Sequence, residues 1–298
     1  ARLAEGLDEN NVLSEEAMER GLNMLRVIAE SLRGFEPDSV RIVATHTLRK
    51  AVNARDFINQ AKEILPYPVE VISGVEEARL IYSGVAHTNH ADGQQLVVDI
   101  GGGSTEISWI RRIKPATDTR PPRHRIVAWT SIPLGVVSVS ERFGGNDLSR
   151  ERYEEIVDLV AEKVREFDGA EELRPIFEAG DAHLLGTSGT VTSIAGFHLG
   201  LKKYIRREVD GIWLASERAL TLSEKLRSMT NEQRMREPCI GSERADLVVP
   251  GCAILEGIVK AWPSSRIRVA DRGLREGILA ELIAKDKKAR RKRKRKRR

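Results

Sequence analysis

The chain has 298 residues, 41% of them hydrophobic and 31% charged, which is enough to bury a full core and favours a globular protein of two domains. No apolar run reaches the ~18 residues of a membrane span, so no membrane partner is expected. The two cysteines, Cys239 and Cys252, show neither metal-type spacing nor a disulfide framework, so a reducing, cytoplasmic location is expected.

Positive charge is concentrated at the end of the chain. Residues 285–298 hold twelve basic residues and one acidic residue, a net charge of +11. The whole chain carries +5, so the other 284 residues carry −6. A block of like charges repels itself, and we predict that this basic tail is disordered. Two roles stay open for it, a solubilising extension and an electrostatic grip on a polyanion.

Strands and helices are predicted to alternate along most of the chain, which favours α/β layers. Apolar residues at helical spacing predict helices over residues 14–33, 48–65, 76–85, 150–167, 214–227, 245–262 and 274–284, with another beginning near 191. Short apolar runs predict strands over residues 40–45, 69–72, 96–100, 105–110, 125–131, 183–187 and 267–270. Residues 112–123 contain three prolines and are expected to form an exposed loop.

A glycine-rich turn follows the strand predicted at 96–100, with the sequence Asp99-Ile100-Gly101-Gly102-Gly103-Ser104-Thr105-Glu106. Three glycines without Cβ atoms let backbone N–H groups approach a phosphate closely, and the two hydroxyls add donors. The carboxylates of Asp99 and Glu106 are hard oxygen ligands of the kind that Mg²⁺ prefers. A plain glycine-rich hairpin is the alternative interpretation.

A second turn lies between a predicted strand and a predicted helix, with the sequence Gly186-Thr187-Ser188-Gly189-Thr190. The free N–H groups and positive dipole at a helix N-terminus suit an anion. Ser and Thr are also ordinary N-cap residues, so capping alone is the alternative. Two such turns in one chain favour a phosphorylated ligand.

Three further charged residues are candidates for chemistry. Glu77 begins a small, apolar helix face, where a carboxylate could orient and deprotonate a water; stabilising the helix dipole is the alternative. Arg49 follows a strand end, and its planar fork matches phosphate oxygens. Arg244 is a candidate anion contact. His46 has no partner ligands at metal-type spacing and is interpreted as structural.

These residues, in this order, resemble the Ppx/GppA family of exopolyphosphatases and guanosine pentaphosphate phosphohydrolases. The resemblance runs through Ala44-Thr45-His46-Thr47-Leu48-Arg49, Glu76-Glu77-Ala78-Arg79, both glycine turns, Ile132-Pro133-Leu134-Gly135, Pro250-Gly251-Cys252-Ala253-Ile254-Leu255 and Asp271-Arg272-Gly273-Leu274-Arg275-Glu276-Gly277. It implies an α/β fold of two ribonuclease-H-like domains, as in the actin, sugar-kinase and Hsp70 superfamily.

The resemblance also implies residue roles. Glu77 falls on the family's catalytic glutamate and Arg49 on a phosphate-binding arginine. Asp99 and Glu106 are expected to hold Mg²⁺. Phosphate contacts are expected from Gly101, Gly102, Gly103, Ser104, Gly186, Thr187, Ser188, Gly189, Thr190 and Arg244. The expected reaction removes the terminal phosphate of inorganic polyphosphate or the 5′ γ-phosphate of guanosine pentaphosphate.

Two departures from the family pattern shape the expected domains. No strand and first phosphate loop of the type Asp-x-Gly-(Ser/Thr)-Asn precede residues 1–7, so we expect an N-terminally incomplete first domain. The sequence ends soon after the expected catalytic core, where longer members continue into helical domains, so we expect it to resemble the short, two-domain branch. The predicted domains are residues 1–90 and 91–284, followed by the basic tail; a homodimer is one expected assembly.

Two functions of other classes remain as alternatives. One is a non-catalytic protein that binds polyanions or ppGpp on the same fold. The other is an ATP-dependent enzyme of the sugar-kinase type, which the Glu76-Glu77-Ala78-Arg79 segment disfavours.

Overall fold

The protein was analysed as a computed structural model, which describes residues 2–7, 10–86, 93–113, 123–145 and 148–296. Its internal contacts form two compact units. Unit 1 comprises Ala1–Gly84 together with Leu274–Arg298, and unit 2 comprises Val85–Gly273. These boundaries differ from the predicted ones, because the last helix belongs with the first unit rather than with the second.

Unit 1 consists of six elements from the first part of the chain and one from its end. They are α1 (Glu15–Ser31), β1 (Ile42–Ala44), α2 (His46–Lys50), α3 (Ala54–Ile64), β2 (Val69–Val71), α4 (Gly74–Val85) and α13 (Leu274–Lys296). The strands β1 and β2 pair in parallel, and α1 packs on α3 around Leu13, Leu22 and Phe57. One helix was predicted where α2 and α3 occur. They separate because Asn53 exchanges two hydrogen bonds of 2.9 Å with the backbone of Leu13.

Helix α13 is attached to the rest of unit 1 by ion pairs. Arg41 contacts Glu70 at 3.1 Å, Glu76 at 3.2 Å and Glu281 of α13 at 3.2 Å. Arg79 of α4 contacts both Glu76 and Glu281. The hydrogen bond from Arg79 lowers the pKa of Glu76 to about 2. Two residues of the Glu76-Glu77-Ala78-Arg79 segment therefore hold a helix in place, a role that the sequence analysis did not assign.

The same helix makes a close backbone contact at Gly277. A Cβ at this position would overlap the carbonyl oxygen of Leu80 and come within 3.2 Å of the nitrogen of Gly84. Both atoms belong to the backbone of α4, which cannot move aside as a flexible side chain could. Glycine is therefore required where α13 crosses α4.

We expect Gly277→Ala to destabilise the protein by about 1–3 kcal/mol, the usual cost of inserting a methyl group into a filled contact. Urea denaturation would measure the change as a lower midpoint. Leu279→Ala is the matched control, because Leu279 lies on the same helix with 56% of its surface exposed and should change stability by less than ~0.5 kcal/mol. Equal midpoints for Gly277→Ala and the wild type would contradict the contact.

Unit 2 is an α/β unit built on one mixed sheet. Its strands are β3 (Gln94–Ile100), β4 (Thr105–Ile113), β5 (Arg123–Ile132), β6 (Ala182–Thr187), β7 (Trp213–Ala215) and β8 (Arg266–Val269). The strand order is β5-β4-β3-β6-β8-β7. Strands β3, β6 and β8 are parallel, whereas β3–β4–β5 are antiparallel and β7 runs antiparallel to β8. The predicted α/β layering is confirmed.

The helices of unit 2 are α5 (Val136–Phe143), α6 (Arg150–Arg165), α7 (Ala170–Glu178), α8 (Ser188–His198), α9 (Arg206–Val209), α10 (Ser216–Ser228), α11 (Asn231–Arg236) and α12 (Val248–Ala261). Helix α12 is the centre of the core and packs against α5, α6, α8 and α10. Most of the loop predicted at 112–123 lies outside the described residues. In the part of the chain that is described, no helix is long and apolar enough to cross a bilayer.

The basic tail differs from its prediction. Residues 285–298 were expected to be disordered, but α13 continues through Lys296, and only residues 297 and 298 lie outside the described part. Lys, Arg and Ala are good helix formers, and extending a helix that is already packed avoids the cost of nucleation. An i,i+4 ion pair of 2.8 Å between Asp286 and Arg290 adds support.

Candidate functional site

The predicted catalytic residue and the predicted phosphate arginine of unit 1 form one ion pair. Glu77 lies in the first turn of α4, and Arg49 lies in α2, just beyond the end of β1. Arg49 Nη1 donates to Glu77 Oε2 at 2.7 Å and to the carbonyl of Ile72 at 3.0 Å. Glu77 is only 5% exposed and Arg49 is half-buried, so the ion pair holds this carboxylate in one orientation.

Burial and charge act in opposite directions on Glu77. Burial raises the pKa of Glu77, while the hydrogen bonds from Arg49 and Thr45 and the charge of Arg49 lower it, with a net rise. A raised pKa suits a carboxylate that accepts a proton near neutral pH. Burial, with the charges of Arg49 and Lys50, lowers the pKa of the neighbouring His46 and keeps its imidazole neutral.

Four polar side chains form a row across the sheet of unit 2. Asp99 on β3 lies directly opposite Glu106 on β4 and Thr187 on β6, and Glu106 lies opposite Ser131 on β5. Residues directly opposite one another point to the same face, with Cβ atoms roughly 4.5–5.5 Å apart. The two predicted metal ligands are therefore neighbours on one face of the sheet.

Hydroxyl groups fix the carboxylate of Glu106, which is 4% exposed. Ser104 Oγ donates to Glu106 Oε1 at 2.6 Å, and Ser131 Oγ donates to the same oxygen at 2.8 Å. The hydroxyl proton of Ser104 is thus engaged by Glu106, so the predicted phosphate contact of Ser104 rests on its backbone N–H. Thr105 Oγ1 donates to the carbonyl of Leu134 at 2.7 Å and is structural. Ser131 was missed, because nothing in the sequence aligns β5 with β4.

The glycine turn Gly101–Ser104 presents its carbonyls to helix α5. The N–H of Val136 donates to the carbonyl of Gly101 at 2.9 Å, and that of Val137 donates to the carbonyl of Gly102 at 2.8 Å. A Cβ at Gly135 would overlap the backbone of Gly102, so this approach requires glycine there. Among the described residues, the N–H groups of Gly102 and Gly103 donate to no protein acceptor. They form a set of free backbone donors of the kind that binds anions.

The second turn opens helix α8 earlier than predicted. The helix begins at Ser188 rather than near Val191, so Gly189 and Thr190 lie in its first turn, where N–H groups lack helical acceptors. Ser188 has φ +76°, a conformation that costs energy for a residue with a side chain. Such strain is often found at ligand sites. The hydroxyl of Thr187, a predicted phosphate contact, donates to the carbonyl of Arg272 at 2.6 Å.

One cavity of unit 2 brings residues of both turns together. Its volume is about 170 Å³, and the residues lining it are Ile100, Gly101, Gly102, Val136, Ser188, Gly189, Thr190, Ser193, Arg244, Leu247 and Val248. Arg244 Nη1 donates to Ser193 Oγ at 3.2 Å, beside the start of α8. Six of the predicted phosphate-binding residues thus line one cavity. Arg244 supplies positive charge to it, the two turns supply backbone N–H donors, and aliphatic side chains form one wall. The predicted residues Gly103, Ser104, Gly186 and Thr187 do not line it.

The adjacent carboxylates of Asp99 and Glu106 suit a hard cation. Mg²⁺ is commonly held by one or two carboxylates, with water and substrate oxygens completing its shell. Asp99 and Glu106 supply that number, side by side. No group of three or more His, Cys, Asp or Glu side chains suited to a metal occurs in the described part of the chain. Two carboxylates do not complete the shell of such a cation, so one held here would take its remaining oxygens from water or from a ligand.

The comparisons with known proteins agree with one another. The model of the Ppx/GppA phosphatase family matches residues 1–286. A candidate exopolyphosphatase of Haemophilus influenzae is 35% identical over 283 residues, which cover 94% of this chain and 80% of the relative. The crystal structure of an exopolyphosphatase-like protein has a TM-score of 0.80 at 28% identity and covers 94% of this chain and 88% of that one. An Aquifex aeolicus Ppx/GppA structure has a TM-score of 0.70 at 25% identity, with coverages of 95% and 87%.

Proposed function

Because the chain belongs to the Ppx/GppA phosphatase family, as its resemblance predicted, we propose that it hydrolyses the terminal phosphoanhydride bond of inorganic polyphosphate. A water oxygen forms a bond to the terminal phosphorus as the bridging P–O bond breaks. Orthophosphate leaves, and the remaining chain is one phosphate shorter. The names of the relatives support this substrate class, since one is named a candidate exopolyphosphatase and another an exopolyphosphatase-like protein.

The ion pair between the buried Glu77 and the half-buried Arg49 carries the proposal. In the proposed reaction, Glu77 orients the attacking water and accepts its proton. Arg49 holds the carboxylate in place through Nη1, and in the described part of the chain its Nε and Nη2 have no protein acceptor and remain available to a phosphate oxygen. A pKa that burial raises and Arg49 restrains is suited to such a base.

Binding of the phosphates falls to residues of unit 2. The N–H groups of Gly102 and Gly103 and the first turn of α8 donate to phosphate oxygens, and Arg244 adds positive charge. In phosphoryl transfer the protein contributes mainly position and charge, and preorganised donors of this kind are well suited to it. In the proposal Asp99 and Glu106 hold Mg²⁺, which supplies positive charge to the phosphate oxygens when bound.

Guanosine pentaphosphate is the second candidate substrate. Its terminal phosphates are the same chemically, so the residues above serve both. The observation that favours it is the aliphatic wall of the cavity, formed by Ile100, Val136, Leu247 and Val248. The flat face of a guanine base can lie against such a wall, whereas a polyphosphate chain gains nothing from it.

Phosphate release from different substrates tests the proposal. The whole chain, supplied with Mg²⁺, is incubated separately with polyphosphate, guanosine pentaphosphate and ATP, and orthophosphate is measured with time. We expect release from polyphosphate, with the remaining chains shortening from their ends. Consumption of ATP only when a sugar is present would support the kinase alternative. Tight binding of polyphosphate without release would support a non-catalytic binder and overturn the proposal.

A further inference from the structure

Helix α13 continues beyond its packed part into a strongly basic segment. From Lys285 to Lys296 it holds ten basic residues and one acidic residue, Asp286. Every side chain from Lys285 to Arg291 is exposed. At 1.5 Å per residue these twelve residues span about 18 Å, so there is about one net positive charge for every 2 Å of helix. We call residues 285–296 the basic helix.

The basic helix continues a helix that is fixed to unit 1. Gly277 lies against the backbone of α4, and Glu281 forms ion pairs with Arg41 and Arg79. Lys285 follows Gly277 by eight residues, or about 12 Å along the helix axis. Helix α4 also carries Glu77, three residues before Leu80. The basic surface is therefore held at a set distance from the proposed base, within the same unit.

The charge of the basic helix is not balanced within the described side chains. From Lys285 to Arg291, the pair Asp286–Arg290 is the one ion pair found. Like charges four residues apart, such as Lys287 and Arg291, repel and weaken the helix. A bound polyanion removes this repulsion, so binding and helix formation favour each other.

The chemistry of the basic helix selects among polyanions. Residues 285–298 contain no aromatic side chain on which a base could stack and no Asn or Gln to read a base edge. They also present no apolar stripe of the kind that enters a membrane surface. The segment therefore offers a dense line of positive charge. Such a line matches a polymer whose every unit carries a negative charge and no further group to recognise.

We propose that the basic helix is a second attachment surface for long-chain inorganic polyphosphate. The inference rests on the proposed function in one respect: the polymer held by the basic helix is the substrate of the same protein. Two attachments on one polymer raise the local concentration of its end at the first site, so affinity increases with chain length.

Charge neutralisation on the helix tests this surface. The variant replaces Lys285, Lys287, Lys288 and Arg291 by Gln, which keeps helix propensity and spares the Asp286–Arg290 pair. The matched control replaces Lys203, Arg207, Arg218 and Arg236 of unit 2 by Gln, with the same loss of charge at exposed positions. Binding of long-chain polyphosphate and of tripolyphosphate is measured on the full chain across a series of salt concentrations.

For long chains we expect the magnitude of the salt slope of the helix variant to fall by about 3, at ~0.7 per lost contact, and binding at 0.1 M salt to weaken by about 10²–10³ on the same relation. The loss should grow from tripolyphosphate to long chains. The control should bind as the wild type does. Equal losses in the two variants, or a loss that does not depend on chain length, would overturn the proposal. So would preferential binding of single-stranded RNA at equal phosphate concentration.

The binding assay separates this inference from the proposed function. Failure of the wild type to release phosphate from tripolyphosphate would contradict the proposed hydrolysis, but it would leave a difference in polyphosphate binding between variant and control intact. Normal release with no such difference would contradict the basic helix alone.

Discussion

Replacing Glu77 by Gln is expected to lower kcat for phosphate release by about 10²–10⁴, the usual contribution of a general base. Gln keeps the size of the side chain and can still accept a hydrogen bond from Arg49, but it cannot take a proton from water. Substrate affinity should change by no more than a few fold, since the phosphate contacts lie on other residues. Steady-state kinetics and equilibrium binding on the same preparations measure the two effects.

Glu76→Gln is the matched control for this variant. Glu76 is the preceding residue of the same helix turn, but its partners are Arg41 and Arg79. Its kcat should stay within about threefold of the wild type, because Glu76 pairs with Arg41 and Arg79 rather than with Arg49 and takes no part in the proposed reaction. Turnover of Glu77→Gln close to that of Glu76→Gln would show that Glu77 serves the helix dipole and not catalysis.

The raised pKa of Glu77 also predicts a pH dependence. The base must be ionised to act, so kcat/KM falls on the acid side of the pKa of Glu77. Because burial raises this pKa, the acid limb lies above the value of roughly 4.3 for an ordinary glutamate. Removing the positive charge with Arg49→Gln raises the pKa further and moves the acid limb to higher pH. A limb that does not move would separate Glu77 from the observed titration.

Asp99→Asn should lower activity at least about tenfold at a fixed Mg²⁺ concentration and raise the concentration that gives half of full activity. A neutral amide is a poorer ligand for a hard cation. In this variant Glu106 is the one carboxylate left of the two proposed ligands. Titrating activity with Mg²⁺ for the variant and the wild type measures both changes.

Asp181→Asn is the control for the metal variant. Asp181 is exposed and precedes β6, at the opposite end of that strand from Thr187, so the same change of charge should leave the Mg²⁺ titration as it is. Wild-type activity that persists in EDTA would remove the metal from the mechanism. A shared loss in both variants would indicate a general effect of charge.

Local patterns predicted most of the strands and the placement of the first glycine turn. Asp99 and Glu106 flank the turn in sequence, and the hairpin register makes them neighbours across β3 and β4. Helix α5 was missed, because Val136–Phe143 contains three β-branched valines, which favour strands. Its position depends on the carbonyls of Gly101 and Gly102, which its first N–H groups satisfy.

Long-range contacts account for the rest. The pairing of Arg49 with Glu77 joins residues 28 positions apart, and Glu281 meets Arg79 from 202 positions away. In the sequence each of these is one charged residue among many, and no periodicity links them. The prediction that the basic tail is disordered considered only the repulsion among its charges. Its helical conformation follows from its attachment to a helix that is already packed.

The division of the chain into two units affects how the protein folds during its synthesis. Unit 2 is continuous from Val85 to Gly273, so all its strands have been synthesised before Leu274 is added. Unit 1 must wait for Glu281 and Gly277, which meet partners on α4 that were made some 200 residues earlier. During that whole interval of translation, the face of α4 that contacts α13 lacks this partner. We expect chaperones or the ribosome surface to shield it.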